Sequence, residues 1–440
     1  MSSRKFFKEI FPGYGFPSTR EELIGYRDYQ LRRLINYAIS NVPYYRRVLG
    51  EAGLTHDDVR TISDLSRVPL TTKDDLREAG LEAVSKRVVT SRVLEKFTTG
   101  TTGNPLLIRR TIREQLIAGQ FWRRCLRYYG HRPGDHLAVI SIYPFRSAAL
   151  EPVRGLRRFA KFIMHNRRTH LDCRQDPSDI LETLKRIRPE ILIGYAGILA
   201  LLGEEACEKG TGGWSPRFIL SGSETLSASR RERIQQGFGV PVYDYYSTYE
   251  GGILAWECRD TGFYHIAEDH IVAETLSNGR LSERSDREQG EIIITNLHNF
   301  CMPFVRYRLG DYITWGPCTC PCGAPFSTLR GIEGRWMDHF ILPSGKRIHP
   351  MKIYTGLHEF KDIGLQVQFE QVTPDNIILR IVPSGRLTEG MLDDIRRTII
   401  ECLSEPVRVD VEIVERIDPE PTGKYKIFKS RTAEDTAVTS

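Results

Sequence analysis

Between residues 136 and 245 short apolar runs of strand length alternate with amphipathic stretches of helix length, and this alternation limits the folds open to the chain. The spacing predicts strands over 136–141, 191–194, 217–221 and 240–245, with helices over 177–187, 198–209 and 228–237. Such an order builds a parallel sheet covered by helices, because each crossover must return the chain to the same sheet edge. Ligands of these sheets sit at the carboxyl ends of the strands, which makes Tyr195, Ser221 to Glu224 and Tyr246 to Glu250 candidate rim residues. Upstream, apolar residues recur at helical spacing from Glu21 to Glu51 (Leu23, Tyr26, Leu31, Leu34, Ile35, Ala38), with a break at Pro43. From Gly290 the pattern turns to strands and turns. After Asp338 it reads strand, helix, strand, strand, helix (391–403), strand (407–414), an α+β order. The expected fold class is therefore α/β: a large N-terminal domain, 1–338, with helix-covered parallel sheets and a β-rich part at about 251–338, then a small α+β domain, 339–440.

A chain of 440 residues that is 40% hydrophobic can bury a large core in two or three domains. Its net charge of +6 suits a polyanionic ligand such as ATP or coenzyme A, but arginines are not interleaved with aromatics in one stripe, which argues against a nucleic-acid partner. The first residues lack the apolar run of a signal peptide and no run of about 18 apolar residues follows, so the expected location is the cytoplasm, without a membrane partner. Nine cysteines in such a chain do not read as a disulfide framework, and the clustered ones point to a metal.

The run Phe97-Thr98-Thr99-Gly100-Thr101-Thr102-Gly103-Asn104-Pro105 cannot build a core. Glycines allow close backbone approach, and threonine hydroxyls with consecutive N–H groups donate to phosphate oxygens. The run has neither the Walker order nor the dinucleotide-fold order of glycines. Alone it reads equally well as a polar hairpin between strands 92–96 and 106–110.

Five further segments follow in order: Tyr246-Ser247-Thr248-Tyr249-Glu250, Gln289-Gly290-Glu291-Ile292, Arg306-Tyr307-Arg308-Leu309-Gly310-Asp311, Gly334-Arg335-Trp336-Met337-Asp338 and Pro421-Thr422-Gly423-Lys424-Tyr425. The set resembles the adenylate-forming superfamily, and within it the phenylacetate-CoA ligase family in its capsule-locus (CapK-like) branch. The N-terminal stretches 34–45 and 65–76 are also similar to that family's signature. The resemblance implies ATP-dependent activation of a carboxylic acid, aromatic or aryl-acetic, to an acyl-adenylate, then transfer to coenzyme A. It implies that Thr98, Thr99, Gly100, Thr101, Thr102 and Gly103 cradle the β- and γ-phosphates, and that Glu250, beside Thr248, holds Mg²⁺. Asp311 would bind the ribose hydroxyls, with Arg335 near ribose or phosphate. Ser223, Glu224, Tyr245, Tyr246 and Ser247 would line the adenine slot, and Tyr143, Pro144, Phe145, Tyr195 and Gly197 the acyl pocket. Lys424 would bridge the attacking carboxylate and the α-phosphate, and the C-terminal domain, a mobile lid, would swing about Asp338.

The capsule-locus branch shows a similar Cys-Pro-Cys-Gly with an upstream Glu-Cys and His, which implies that Cys258, His265, Cys320 and Cys322 form a closed, structural zinc site, with Cys318 a bystander. The chain departs from the family at Phe97, Asn104 and Ala196 and in the stretch 339–346, so the acceptor is the open part of the reading. An amine or a carrier-protein thiol are alternative acceptors, and a homodimer is left open. The non-enzyme alternative is a zinc-ribbon nucleotide- or nucleic-acid-binding protein.

Overall fold

The computed structural model describes residues 19–88, 93–98, 106–141, 167–277, 280–282, 286–335, 340–348, 353, 357, 366–383, 385, 387–418 and 428–430. Helix α1 (Arg20–Asn41) is capped by Thr19, whose side chain accepts from the Glu22 N–H, and buries Leu23, Leu31, Leu34, Ile35 and Ala38. Val42 is extended, as a residue before proline prefers, and Pro43 opens α2 (Pro43–Glu51). The expected break at Pro43 is thus a helix-to-helix junction. Thr72 and Asp75 form a capping box at the start of α3 (Lys73–Ala79). Next, β1 (Val93–Phe97) and β2 (Leu107–Thr111) pair antiparallel as a hairpin. Thr111 then caps α4 (Ile112–Tyr128) with Glu114 completing the box.

The alternation then follows, with one strand, β4, added to those expected: β3 (His136–Ser141), β4 (Arg167–Asp172), α5 (Pro177–Ile187), β5 (Ile191–Gly194), α6 (Ala196–Lys209), β6 (Phe218–Gly222), α7 (Ala228–Phe238) and β7 (Val242–Thr248). These strands lie parallel in the order β4-β3-β5-β6-β7. Their α5–α7 face is closed by Ile180, Leu184, Leu199, Leu202, Ile234 and their neighbours.

The β-rich part does not form a separate sheet. Strands β8 (Gly252–Glu257), β9 (Tyr264–Ile266), β10 (Ile271–Ser277), β11 (Arg280–Ser282), β12 (Gln289–Asn296), β13 (Tyr307–Trp315) and β14 (Thr328–Arg335) continue the same ladder. The result is one sheet of 12 strands in the order β11-β10-β12-β13-β14-β9-β8-β7-β6-β5-β3-β4. Helices α1 and α2 pack on its antiparallel half through Leu31, Leu34, Tyr45, Ile294, Tyr307 and Trp315. A backbone bridge seals this contact, with Thr71 N–H donating to Arg306 O at 2.9 Å and Arg308 N–H to Thr71 O at 2.9 Å.

The C-terminal unit has its own core and sheet. The hairpin β15 (Phe340–Ile341) and β16 (Arg347–Ile348) precedes β17 (Gln366–Thr373), β18 (Asn376–Val382), α8 (Glu389–Leu403), β19 (Arg408–Ile413) and β20 (Phe428–Ser430). Four of these strands form a sheet in the order β19-β18-β17-β20, on which Ile395, Ile399 and Leu403 of α8 pack. The sequence reading does not anticipate α4, β4 or β20. Polar and arginine-rich stretches hide α4 and β4, and three residues are too few for β20 to show a period. Among the described residues no helix is long and apolar enough to cross a membrane.

Candidate functional site

The strands on either side of the Thr/Gly-rich run pair antiparallel, as the hairpin reading expects. The neck of the run is described: Thr98 N–H donates to Leu106 O at 3.0 Å, and Leu106 N–H donates to Thr98 Oγ1 at 2.9 Å. Thr98 is thereby buried, its hydroxyl oxygen engaged in closing the neck. Thr99, Gly100, Thr101, Thr102 and Gly103 lie outside the described residues, as do Tyr143, Phe145, Asp338 and Lys424.

Facing the hairpin is the turn from β7 to β8 that carries Glu250. Gly251 N–H donates to Thr248 Oγ1 at 2.9 Å, which tightens the turn. Gly252 has φ +72°, and a Cβ there would lie 3.0 Å from His270 Nε2, so a glycine is required on both counts. Arg110 Nη2 of β2 donates to the carbonyls of Tyr249 at 2.6 Å and Glu250 at 3.1 Å. Asn296 Nδ2, at the end of β12, donates to the carbonyls of Glu250 at 3.1 Å and Gly251 at 3.3 Å. The Tyr307 hydroxyl of β13 donates to Glu250 Oε1 at 3.5 Å. Tyr307 belongs to a marked stretch, though without a role, and Asn296 lies four residues beyond another, Gln289 to Ile292; Arg110 carries no signal beyond its place on the strand that follows the phosphate-loop candidate.

Tyr246 donates its hydroxyl to Asp311 Oδ2. The two residues lie on β7 and β13, four strands apart in the ladder. In a flat sheet with strands about 4.8 Å apart they would be about 19 Å distant. Strong curvature is therefore needed between β7 and β13, and β9, three residues long, is the shortest strand in that span. Asp311 is also in register with Arg335 on β14, which puts two further predicted residues on adjacent strands.

The remaining candidates divide. Tyr245 is half-buried, its ring against Gly222, where a Cβ would lie 2.4 Å away, and centred 4.8 Å from the Trp122 ring; burial raises its pKa well above the usual tyrosine value. Ser223 takes φ +67°, a left-handed position at the tip of β6. Glu224 turns toward α6: its Oε2 accepts from Gly197 N–H at 2.7 Å and lies 3.6 Å from Arg230 Nη1. It caps the helix that carries Gly197, just behind Tyr195. Ser247 sits at a register shift between β7 and β8. Lys96, on the inner face of β1, lies 5.5 Å from the centre of the Tyr249 ring, and burial followed by the charge of Arg110 lowers its pKa.

A second cluster lies around β9. Cys258 follows β8, His265 is on β9, and Cys320 and Cys322 are in the loop between β13 and β14. Their ligand atoms all fall within 4.8 Å of one another. Cys320 Sγ and Cys258 Sγ are 3.8 Å apart, and Cys322 Sγ is 3.3 Å from His265 Nε2. A tetrahedral zinc with bonds of about 2.3 Å to sulfur has edges of about 3.8 Å, and a disulfide would need about 2.05 Å, so this donor set fits a metal and not a bridge. Cys318 is exposed and outside the group.

The fold is that of adenylate-forming ligases. A 2-hydroxyisobutyryl-CoA ligase, solved in the postadenylation state with its acyl-AMP, aligns over 95% of this chain and 90% of its own with a TM-score of 0.77 at 21% identity. Phenylacetate-coenzyme A ligases are the similar curated proteins: that of Thermus thermophilus is 28% identical over 76% of this chain and 75% of its own length, and that of Pseudomonas putida 26% identical over 91% of each. Residues 340–431 match the CapK C-terminal domain model. Over most of its length the chain is thus similar to phenylacetate-CoA ligases, and over residues 340–431 to the CapK C-terminal domain, on the fold of adenylate-forming ligases.

Proposed function

We propose that the protein is an AMP-forming acid–thiol ligase that activates an aromatic or aryl-acetic acid with ATP and passes the acyl group to coenzyme A. The observation that supports this reading is a pair of contacts from β13 to β7 and the turn after it, Tyr307 with Glu250 and Asp311 with Tyr246, while Arg110 of the hairpin bonds the same turn. In the first step a carboxylate oxygen attacks the α-phosphorus of ATP, the bond to the β-phosphate oxygen breaks, and pyrophosphate leaves. In the second a thiolate attacks the acyl carbon and AMP leaves. Asp311 accepts from the ribose hydroxyls, oriented beforehand by Tyr246. The loop 98–105 receives the β- and γ-phosphates. Glu250 fits Mg²⁺, a hard cation content with one carboxylate and phosphate oxygens, which would neutralise charge on the leaving pyrophosphate. Lys424 bridges the attacking carboxylate and the α-phosphate. Cys258, His265, Cys320 and Cys322 hold a structural zinc ion with no open position. The availability of ATP and coenzyme A places the enzyme in the cytoplasm.

The test is a carboxylic-acid panel assayed for ATP–pyrophosphate exchange, then for thioester with coenzyme A. Exchange with an aryl-acetic or benzoic acid and a thioester product are expected. Exchange followed by product only with an amine would replace the acceptor, and no acid-dependent exchange across the panel would remove the reading.

A further inference from the structure

The Glu250 turn is held from three sides, and the Arg110 contact has the most direct mechanical meaning. Arg110 stands on β2, opposite Leu94 in the β1 register, and only four residues beyond the loop neck at Leu106. Its guanidinium reaches across to two successive carbonyls of the turn, at 2.6 and 3.1 Å. Main-chain carbonyls are neutral acceptors, and the one Nη2 amino group donates to both, which ties their spacing to the position of the guanidinium. Asn296 grips the same turn one residue further on, at the carbonyls of Glu250 and Gly251. His270 Nε2 lies beside Gly252, 3.0 Å from where a Cβ would stand. With the main chain thus pinned, the remaining freedom of Glu250 is its side chain, and Tyr307 constrains that. Glu114 and Glu250 are the carboxylates whose charges face Arg110, and Lys96 is the cation on the same hairpin face.

Resting on the reading of Glu250 as the Mg²⁺ carboxylate, we infer that Arg110 is a positioning residue that couples the phosphate-loop hairpin to the metal-binding turn. The bonds run from β2 through two carbonyls to Glu250, so the hairpin that receives the phosphates also sets where the metal carboxylate stands. Arg110 itself touches neither metal nor phosphate. Outer-shell partners of this type typically change metal affinity about 10–100-fold when removed.

The experiment measures ATP binding by calorimetry with and without Mg²⁺, in wild type, Arg110→Met, Arg110→Lys and Glu250→Gln. In Arg110→Met the Mg²⁺-free affinity is expected to stay within about twofold of wild type while the Mg²⁺ concentration giving half-maximal enhancement rises about tenfold or more. Arg110→Lys, with two donors still available, is expected to fall between. An equal loss with and without Mg²⁺ overturns the inference, because the guanidinium would then be reading phosphate or holding the hairpin itself. An unchanged Mg²⁺ dependence also overturns it. Should Arg110→Met fail to melt cooperatively, Arg110→Lys and Asn296→Ala are judged by the same two numbers. Glu250→Gln separates the two levels: if it retains the Mg²⁺ enhancement, the assignment of Glu250 falls and the coupling with it. If it loses the enhancement and Arg110→Met does not, only the coupling fails.

Discussion

At the scale of single residues the site is built by groups that orient one another before any ligand arrives. Asp311 already accepts from Tyr246, so its carboxylate has a fixed plane when a ribose diol approaches. A charge-assisted hydrogen bond contributes about 1.5–3 kcal/mol, so Asp311→Asn should raise the KM for ATP about tenfold or more, and Tyr246→Phe by less. Discrimination between ATP and 2′-deoxy-ATP should shrink in Asp311→Asn; full discrimination in that variant would end the ribose assignment. Behind the turn, His298 is buried and neutral. Burial lowers its pKa to about 4, against the opposing effects of the Asp269 carbonyl and carboxylate, with Arg33 and Arg124 adding to the lowering. His270, stacked on Phe121 at 4.1 Å, is pushed down further by burial, then by His298, Arg110 and Arg124. Because the folded pKa values are depressed, these histidines remain neutral in the fold while the unfolded chain takes up protons below about pH 6.5. Their stabilising contribution is full above that pH and is lost as pH falls toward about 4. Denaturant melts at pH 6.5 to 5 should show His298→Gln with a pH slope smaller than wild type by up to about 1.4 kcal/mol per pH unit. Parallel slopes would show that His298 titrates alike in both states.

At the scale of elements the weak point of the long sheet is β9. Three residues of ladder join β8 to β14, within the span that must curve to bring β7 to β13. The Cys258, His265, Cys320, Cys322 cluster ties the β8–β9 turn to the β13–β14 loop across that seam. A metal there would do for the bend what ladder hydrogen bonds cannot, since its binding energy becomes folding energy. Purified protein should carry one zinc per chain. Cys320→Ala should lose it and lower the Tm by about 5 °C or more, whereas Cys318→Ala should change neither. Zinc well below one per chain in the wild type would sink the assignment. The parallel half was legible because buried strands and amphipathic helices have different periods, and 177–187 is recovered to the residue as α5. What no local pattern shows is curvature: the continuity of the 12-stranded sheet and the meeting of Tyr246 with Asp311 depend on pairings across four strands. Likewise the packing of Tyr245 on Trp122 and the bond of Glu224 to the first turn of α6 are contacts that local spacing does not show. Side-chain direction at a strand tip depends on the bulge or positive φ beside it, and sequence spacing does not record that.

At the scale of the whole molecule two sheets divide the chemistry. The 12-stranded sheet and its hairpin present Glu250 and Asp311, while the four-stranded sheet belongs to the unit whose segment 421–425 includes Lys424. Described strands of the unit precede and follow it in sequence. Ile413 ends β19, and Phe428 opens β20, which runs parallel to β17 with Phe428 opposite Phe369. Phe428 is buried against Phe340 at 4.7 Å between ring centres. Lys424 thus precedes a described strand of the domain core by four residues in sequence. Removing its charge should therefore leave folding alone and act on the step in which negative charge builds between the acid and the α-phosphate. Lys424→Ala should lower acid-dependent ATP–pyrophosphate exchange by about 100-fold or more with the Tm unchanged. Given a chemically made acyl-adenylate and coenzyme A, the same variant should still form thioester near the wild-type rate, since the thiol step no longer needs that bridge. Loss of both half-reactions together would mean that Lys424 holds the domain in place, and retention of exchange would remove it from the chemistry.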